Sequence, residues 1–108
     1  MAKRSYEGQR ARNMRARARK SGDRDAELIR LADIGDRDGW VCQICFRQVD
    51  QAMRSEQRWS GFYPTLDHIM PLEQGGKHTP ANVQLTHKQC NEDKDNFRPE
   101  EWDRVRTL

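Results

Sequence analysis

The chain has 108 residues and a mass of 12.7 kDa, which is enough for one small domain. Apolar and charged residues each make up 34% of the sequence and the mean hydropathy is −1.14, so the core must be thin, and a bound metal ion would help to stabilise it. No apolar stretch is long enough to span a bilayer and the N-terminus lacks the apolar run of a signal peptide, so we expect a cytoplasmic protein with no membrane partner.

The N-terminal segment differs sharply in charge from the rest of the chain. Residues 1–20 hold eight Lys and Arg side chains against one acid, which gives +7, whereas residues 21–108 hold 12 basic and 16 acidic side chains and carry −4. We predict a disordered or nascently helical basic arm at 1–22 and a domain at 23–108, because the arm has almost no large apolar side chains. It is either a solvated tail or a phosphate-binding arm, whose contacts would be Arg10, Arg12, Arg15, Arg17, Arg19 and Lys20.

Three elements are predicted before residue 64. Asp23–Ile34 places apolar residues at helical spacing, has acids in its first turn and is followed by Gly35, so we predict an amphipathic helix there. A turn then leads into a short apolar strand at Trp40–Cys42. Residues 46–63 are mixed and polar, and we predict a loop whose aromatic side chains cover the domain, namely Trp59, Phe62 and Tyr63.

The second half of the chain is predicted to form two strands followed by helices. Pro64–Ile69 is extended, because proline disfavours a helix around it and threonine and isoleucine favour strands. After a glycine-containing loop, Val83–Thr86 alternates as a second strand. His87–Asn96 has a helical composition, and Pro99–Trp102 is predicted to be a last short helix with proline in its first turn.

Two pairs of residues share the spacing of metal ligands. Cys42 and Cys45 are separated by two residues, as are His87 and Cys90, which would share one face of a helix. Four such ligands complete a tetrahedral site with no open position, so we predict a structural zinc ion bound by reduced thiolates. Phe46 weakens this interpretation, since zinc knuckles commonly have glycine there, and four unrelated residues are the alternative.

A second constellation carries the chemistry of phosphodiester hydrolysis. Asp67 and His68 are adjacent on the first strand, so their side chains point to different sides. His68 has the ordinary pKa of a general base that activates water. Asn91 offers an oxygen to the same cation as Asp67, and two hard oxygen ligands suit Mg²⁺ or Mn²⁺. Asn82 is assigned chiefly to pinning the loop that carries it.

Two further residues near this constellation have open interpretations. His78 lies in the glycine-rich loop, and we interpret it as a surface or loop-stabilising histidine outside the site. Lys94 on the last predicted long helix either contacts phosphate or is an exposed helix lysine.

The motif as a whole resembles that of the HNH endonucleases, the ββα-metal fold in its zinc-stapled form. The resemblance covers roughly residues 38–98, with the core motif at 40–97. It implies one catalytic divalent cation and cleavage that leaves a 3′ hydroxyl. Carried over by motif, it assigns Asp67 and Asn91 as ligands of the catalytic cation, His68 as the general base and Asn82 as the structural asparagine. The segments that carry it are Leu66-Asp67-His68-Ile69-Met70-Pro71-Leu72, Gly75-Gly76, Asn82-Val83-Gln84-Leu85 and Cys90-Asn91-Glu92-Asp93-Lys94.

The sequence departs from the family name at its third position, where Asn91 stands instead of histidine. The corresponding domain of RNA-guided CRISPR nucleases resembles this form, with asparagine there and a lysine three residues later, like Lys94. A competing assignment makes His87 the ligand of the catalytic metal and leaves three cysteines without a fourth partner.

These features together predict a small α+β domain, a ββα-metal HNH fold with a structural zinc, an N-terminal helix and a basic arm. The leading hypothesis is an endonuclease that contacts DNA mostly through its backbone, with Zn²⁺ as structural and Mg²⁺ or Mn²⁺ as catalytic cofactor. The alternatives are a non-catalytic zinc-stabilised DNA-binding module and a zinc-held protein-interaction domain. By analogy with phage and bacterial HNH proteins, a packaging or restriction partner and a homodimer stay open.

Overall fold

A computed structural model describes the backbone of residues 2–95 and the side chains of residues 7–95. The short helix predicted at Pro99–Trp102 lies outside the described residues. Within the described part of the chain, no helix is long and apolar enough to cross a membrane. The helices and strands are α1 (Ala2–Lys20), α2 (Leu31–Arg37), β1 (Pro64–His68), β2 (Val83–His87) and α3 (Lys88–Asp95).

The centre of the fold is an antiparallel hairpin of β1 and β2, whose register runs from Pro64 opposite His87 to His68 opposite Val83. Helix α3 begins directly after β2 and packs on both strands. This order of two strands and a helix confirms the predicted α+β, ββα architecture.

The core lies against the hairpin and is built from every part of the domain. Met14 of α1 packs at its edge, beside Leu31 and Trp40. Among residues 7–95, the core consists of eight fully or nearly buried side chains, and Cys42 is one of them. They are Ile29, Ile34, Cys42, Ile44, Val49, Leu66, Val83 and Leu85.

Residues 2–20 form a helix, so the prediction of a disordered arm is wrong and the helical alternative is closer. Ala11 and Ala18 are buried, and Met14 packs between them in sequence against the core. These residues recur at spacings of three and four, which places them on one side of α1. The prediction failed because it required large apolar side chains, whereas a narrow stripe of alanines lets the helix backbone approach the domain closely.

The helix predicted at Asp23–Ile34 is also wrong in its extent. Asp23 lies in the turn after α1, where its carboxylate accepts hydrogen bonds from the backbone N–H groups of Asp25 and His78. These bonds hold the chain out of a helix, and α2 begins only at Leu31. Leu28, which the helical pattern placed on the apolar face, is 45% exposed.

Two smaller predictions in the first half need correction. Trp40–Cys42 is not a strand but contributes a single bridge between Val41 and Gln48, because the chain turns at once toward Cys45. The aromatic residues of the 46–63 loop do not all cover the domain: Tyr63 is buried, whereas Trp59 and Phe62 are 77% and 70% exposed.

Candidate active site and metal centre

The structure brings Cys42, Cys45, His87 and Cys90 together. Their ligand atoms all lie within 4.8 Å of one another. Cys42 and Cys45 lie on the turn that precedes Phe46, His87 ends β2 and Cys90 lies in the first turn of α3. Three sulfurs and one imidazole in a closed cluster suit a structural zinc ion, as the spacing predicted.

The hydrogen bonds of His87 fit a metal ligand. Its Nε2 lies 3.0 Å from the carbonyl oxygen of Gln48, so Nε2 carries the proton and donates it there. The lone pair on Nδ1 then faces the sulfurs of Cys45 and Cys90, at 3.4 Å and 3.9 Å. A backbone acceptor that fixes the tautomer in this way is typical of zinc-binding histidines. The geometry therefore places His87 with the cysteines, as the first of the two assignments predicted.

The pKa values of the Cys42 and Cys90 thiols are shifted by burial and by the neighbouring groups of the cluster. Burial raises the pKa of Cys42, but hydrogen bonds from the backbone N–H groups of Cys45 and His87 outweigh it and leave that pKa below the ordinary value. Burial and the charge of the Cys42 thiolate raise the pKa of Cys90. A divalent cation among them would stabilise all the thiolates at once, so the donor set fits zinc chemically.

Phe46 takes the position where a glycine was expected and adopts the conformation that glycine favours. Its φ is +63°, and its backbone N–H donates to the carbonyl of Cys42 at 2.9 Å. The position after Cys45 therefore has left-handed geometry despite the phenylalanine, at a cost of about 1 to 2 kcal/mol. This residue does not argue against the metal site.

Asp67 is a buried carboxylate held from two sides. Gln84, its cross-strand neighbour in the hairpin, donates from Nε2 to Oδ2 at 2.9 Å. The ammonium of Lys94 on α3 lies 3.1 Å from the same oxygen. Burial raises the pKa of Asp67, and the bonds from Gln84 and the charge of Lys94 oppose that effect.

The Lys94 ammonium is surrounded by four oxygen atoms of β1 and the residue after it. It lies within 3.4 Å of both Asp67 carboxylate oxygens and of the backbone carbonyls of His68 and Ile69. Asn91, one helical turn before Lys94, directs its amide to the carbonyl of Leu66 at 3.5 Å. The side of β1 that faces α3 is thus rich in hard oxygen donors around a cation.

His68 faces away from this group, as the alternation along a strand predicts. Its Nε2 lies 2.9 Å from Nδ1 of His78, and both rings are buried. Burial lowers the pKa of His68 to about 4, and the charges of His78 and Arg17 add to the effect. The imidazole is therefore neutral at neutral pH, with a pKa below the near-neutral value that the sequence led us to expect of a general base.

His78 is buried against His68, so the interpretation of it as a surface histidine is wrong. It is fully buried, and the segment after α1 holds its backbone: Asp23 Oδ2 accepts its N–H at 2.7 Å, and Glu27 donates its N–H to its carbonyl at 3.1 Å. The bond from His78 lowers the pKa of Asp23. No sequence spacing signals a contact between residues 55 positions apart, so the pattern alone could not find it.

Asn82 pins the loop between the strands, which is the role predicted for it. Its Oδ1 accepts the backbone N–H of Met70 at 2.9 Å, and its Nδ2 donates to the carbonyls of Met70 and Lys77. These bonds tie both ends of the 70–77 segment to the start of β2. The loop that carries His78 is therefore fixed relative to the strand that carries His68.

Gly76 closes this loop, and we expect Gly76→Ala to disrupt it. A Cβ at this position would lie 1.8 Å from the carbonyl oxygen of Met70, a backbone atom that cannot move aside alone. Thermal or urea unfolding should show a loss of more than about 3 kcal/mol. Gly75→Ala is the control: its Cβ meets open space and it suffers only from a φ of +89°, at about 1 kcal/mol. Equal losses in the two variants would contradict this account of the loop.

The hairpin, the helix across it and the Cys₃His cluster define a small ββα-metal domain of zinc-stapled type. Residues 42–97 match the family model described as HNH endonuclease. The match covers 56 of the 108 residues, and the chain belongs to the HNH endonuclease family. No curated protein matches the chain. Family membership supports a nuclease-type or DNA-binding role.

Proposed function

We propose that the protein is a metal-dependent endonuclease that hydrolyses DNA phosphodiester bonds, with His68 as general base and a divalent cation on Asp67 and Asn91. The observation that carries this proposal is the division of β1 between two environments. On one side, Asp67 belongs to a group of oxygens that surrounds the Lys94 ammonium. On the other side, the neutral imidazole of His68 is buried against His78. Two neighbouring positions on β1 would thus place the divalent cation, at Asp67, and the general base, His68, on opposite sides of the strand.

The donor set on the Asp67 side fits Mg²⁺ or Mn²⁺. The Asp67 carboxylate and the Asn91 side-chain oxygen would be the protein ligands, and both are hard donors. A cation there would supply charge stabilisation at the scissile phosphate and the leaving oxygen. Lys94, which holds the Asp67 carboxylate in this structure, would then be free to contact phosphate.

Because residues 2–20 form helix α1, the proposal for DNA binding can name which arginine lies near the general base. Arg10 donates to the carbonyl of Pro64 at the start of β1, at 3.2 Å. Two helical turns later, the charge of Arg17 lowers the pKa of His68, at the end of β1, and of His78, which contacts it. Helix α1 therefore runs along β1, and we propose that Arg17 contacts the DNA phosphates beside the general base. The other proposed phosphate contacts are Arg12, Arg15, Arg19 and Lys20. Arg10, which the sequence also offered, instead bonds to Pro64 within the domain.

Arg17→Ala should reduce cleavage and DNA affinity about fivefold to tenfold and lower the salt slope of binding by about one, because one phosphate contact is lost. Arg12→Ala is the matched comparison, and as a proposed phosphate contact away from the base it should lower affinity but leave the cleavage rate of bound DNA unchanged. It removes the same charge from α1, but at about 100° per residue Arg12 lies roughly 140° around the helix from Arg17. Binding by fluorescence anisotropy at several salt concentrations, with cleavage rates measured alongside, gives the comparison. A loss of cleavage rate at saturating protein in Arg12→Ala equal to that in Arg17→Ala would contradict the position proposed for α1.

The proposed activity is tested with a 5′-labelled DNA duplex and zinc-loaded protein, in Mg²⁺, in Mn²⁺ and in EDTA. We expect cleavage only with a divalent cation, and products whose 3′ ends a polymerase extends. Binding of the duplex without cleavage in either metal would instead favour the non-catalytic DNA-binding module. An RNA duplex in the same series tests the proposed preference for DNA.

Cellular context is also a proposal. Zinc-bound thiolates require reduced cysteines, so we place the protein in the cytoplasm. A symmetric double-strand cut needs two active sites, and hence a homodimer or a partner from packaging or restriction machinery, whereas a monomer with one site would nick. The size of the protein on its own and in complex with DNA, measured by light scattering, separates these cases.

A further inference from the structure

The contact between His68 and His78 is a hydrogen bond between two ring nitrogens in a buried place. Nε2 of His68 and Nδ1 of His78 are 2.9 Å apart, and His68 and His78 are 7% and 0% exposed. Nε2 of His78 is also buried, and among residues 7–95 it has no hydrogen-bond partner. One of the two facing nitrogens must carry a proton and the other a lone pair.

The two choices for that proton have opposite consequences for His68. If His78 donates, neutral His68 carries its own proton on Nδ1, and that nitrogen is a donor that cannot take a proton from water. If His68 donates from Nε2, its Nδ1 keeps a lone pair and is a base. Neutral His78 then carries its proton on Nε2, the atom without a partner.

We propose that His78 is a positioning residue for His68: its Nδ1 accepts the Nε2–H of His68 and thereby leaves Nδ1 of His68 as the basic nitrogen. This inference rests on the proposed function of His68. In the reaction, an O–H bond of water breaks and the proton goes to Nδ1 of His68. The water oxygen bonds to phosphorus, the P–O3′ bond breaks, and the 3′ oxygen takes a proton from solvent. The proton on Nε2 of His68 stays in its bond to His78 throughout.

Contacts from three parts of the chain fix the position of His78. Its backbone N–H and carbonyl are both engaged, by Asp23 and Glu27. The preceding residue, Lys77, is tied to Asn82. At the start of this loop, Leu72 packs with Ala18 at the end of α1. The acceptor is thus held by groups from α1, from the 23–27 segment and from the start of β2.

Three substitutions of His78 separate acceptor geometry from packing. In His78→Asn, the side-chain oxygen can take the place of Nδ1 and accept from His68. His78→Gln has the same amide one carbon further out, and His78→Leu has no acceptor. None of them loses a bond at Nε2, since that atom has no partner in the described part of the chain.

We expect His78→Leu to lose about 100-fold in kcat, with KM for DNA changed less than about twofold, because only the orientation of the base is lost. His78→Asn should stay within about fivefold of the wild type, and His78→Gln should fall between the two. Zinc content and thermal unfolding establish that each variant is folded. Folded His78→Leu with wild-type kcat, or folded His78→Asn as slow as His78→Leu, would overturn the proposal.

The tautomer itself can be measured without any nuclease activity. Long-range ¹H–¹⁵N spectra of the wild-type protein labelled in its histidines report which ring nitrogen carries the proton. We expect His68 as the Nε2–H tautomer and His78 also as Nε2–H at neutral pH, and loss of the single His68 tautomer in His78→Leu. A wild-type His68 protonated on Nδ1 would overturn the positioning role even if cleavage is found. Conversely, the expected tautomers in an inactive protein would place the fault in the proposed function.

Discussion

Replacing His68 with alanine is expected to lower the rate of metal-dependent DNA cleavage about 1,000-fold, which is typical when a general base is removed. Affinity for DNA should change less than about twofold, since His68 is buried beside His78 and is not placed as a phosphate contact. The rate is best measured under single-turnover conditions with a labelled duplex, so that product release does not mask the chemical step.

The control for His68→Ala must account for stability. Truncating a buried imidazole leaves a cavity and removes the partner of His78, so some loss of stability, of about 1 to 3 kcal/mol, is expected. His68→Gln fills more of the space and serves as a second variant. Zinc content and a cooperative melting transition above the assay temperature show that both are folded. Cleavage within tenfold of the wild type by either folded variant would remove His68 from the role of base.

The second large effect is expected at the Cys₃His cluster, where Cys45→Ser should lose zinc and unfold the domain together. The cluster joins the turn at Cys42–Cys45, the end of β2 and the start of α3, so the metal would connect three parts of the chain. Structural zinc contributes on the order of 10 kcal/mol in small domains, more than a core this thin can replace.

Gln43→Ser is the matched control for the zinc prediction, because Gln43 lies between the two cysteines and is not one of the four clustered residues. Zinc released by a thiol-reactive reagent should be one equivalent for the wild type and for Gln43→Ser. Circular dichroism should show a folded protein in both and an unfolded chain in Cys45→Ser, and a strong chelator should unfold the wild type. A stable wild-type protein purified without zinc would refute the structural role of the metal.

The sequence predicted those parts of the site whose residues are close together or regularly spaced. Asp67 and His68 needed only the alternation of a strand to be assigned different sides. The two ligand pairs needed only the geometry of a helix turn and a tight turn to be grouped. The hairpin followed from a proline-led extended segment and an alternating one, and the structure has both within a residue of the predicted bounds.

What the sequence did not predict are contacts across long separations made by residues with ordinary local roles. Asp23 looked like the first-turn acid of a helix, but its carboxylate bonds to the backbone of His78. His78 looked like a loop histidine, but the fold buries it against His68. The packing of helix α1 on the domain was not predicted, because Ala11 and Ala18 contribute little hydrophobicity each and only the shape of the opposing surface makes their burial possible.

Nicking of supercoiled plasmid by zinc-loaded wild-type protein and by folded His68→Ala, measured side by side with Mn²⁺, with Mg²⁺ and with EDTA, tests whether His68 is the base of a metal-dependent nuclease. This assignment of His68 predicts relaxed or linear product from the wild type in at least one of the two metals, no product in EDTA, and almost none from the variant. A folded, zinc-loaded wild type that binds the plasmid without cutting it, or metal-dependent cutting by the variant at the wild-type rate, would contradict it.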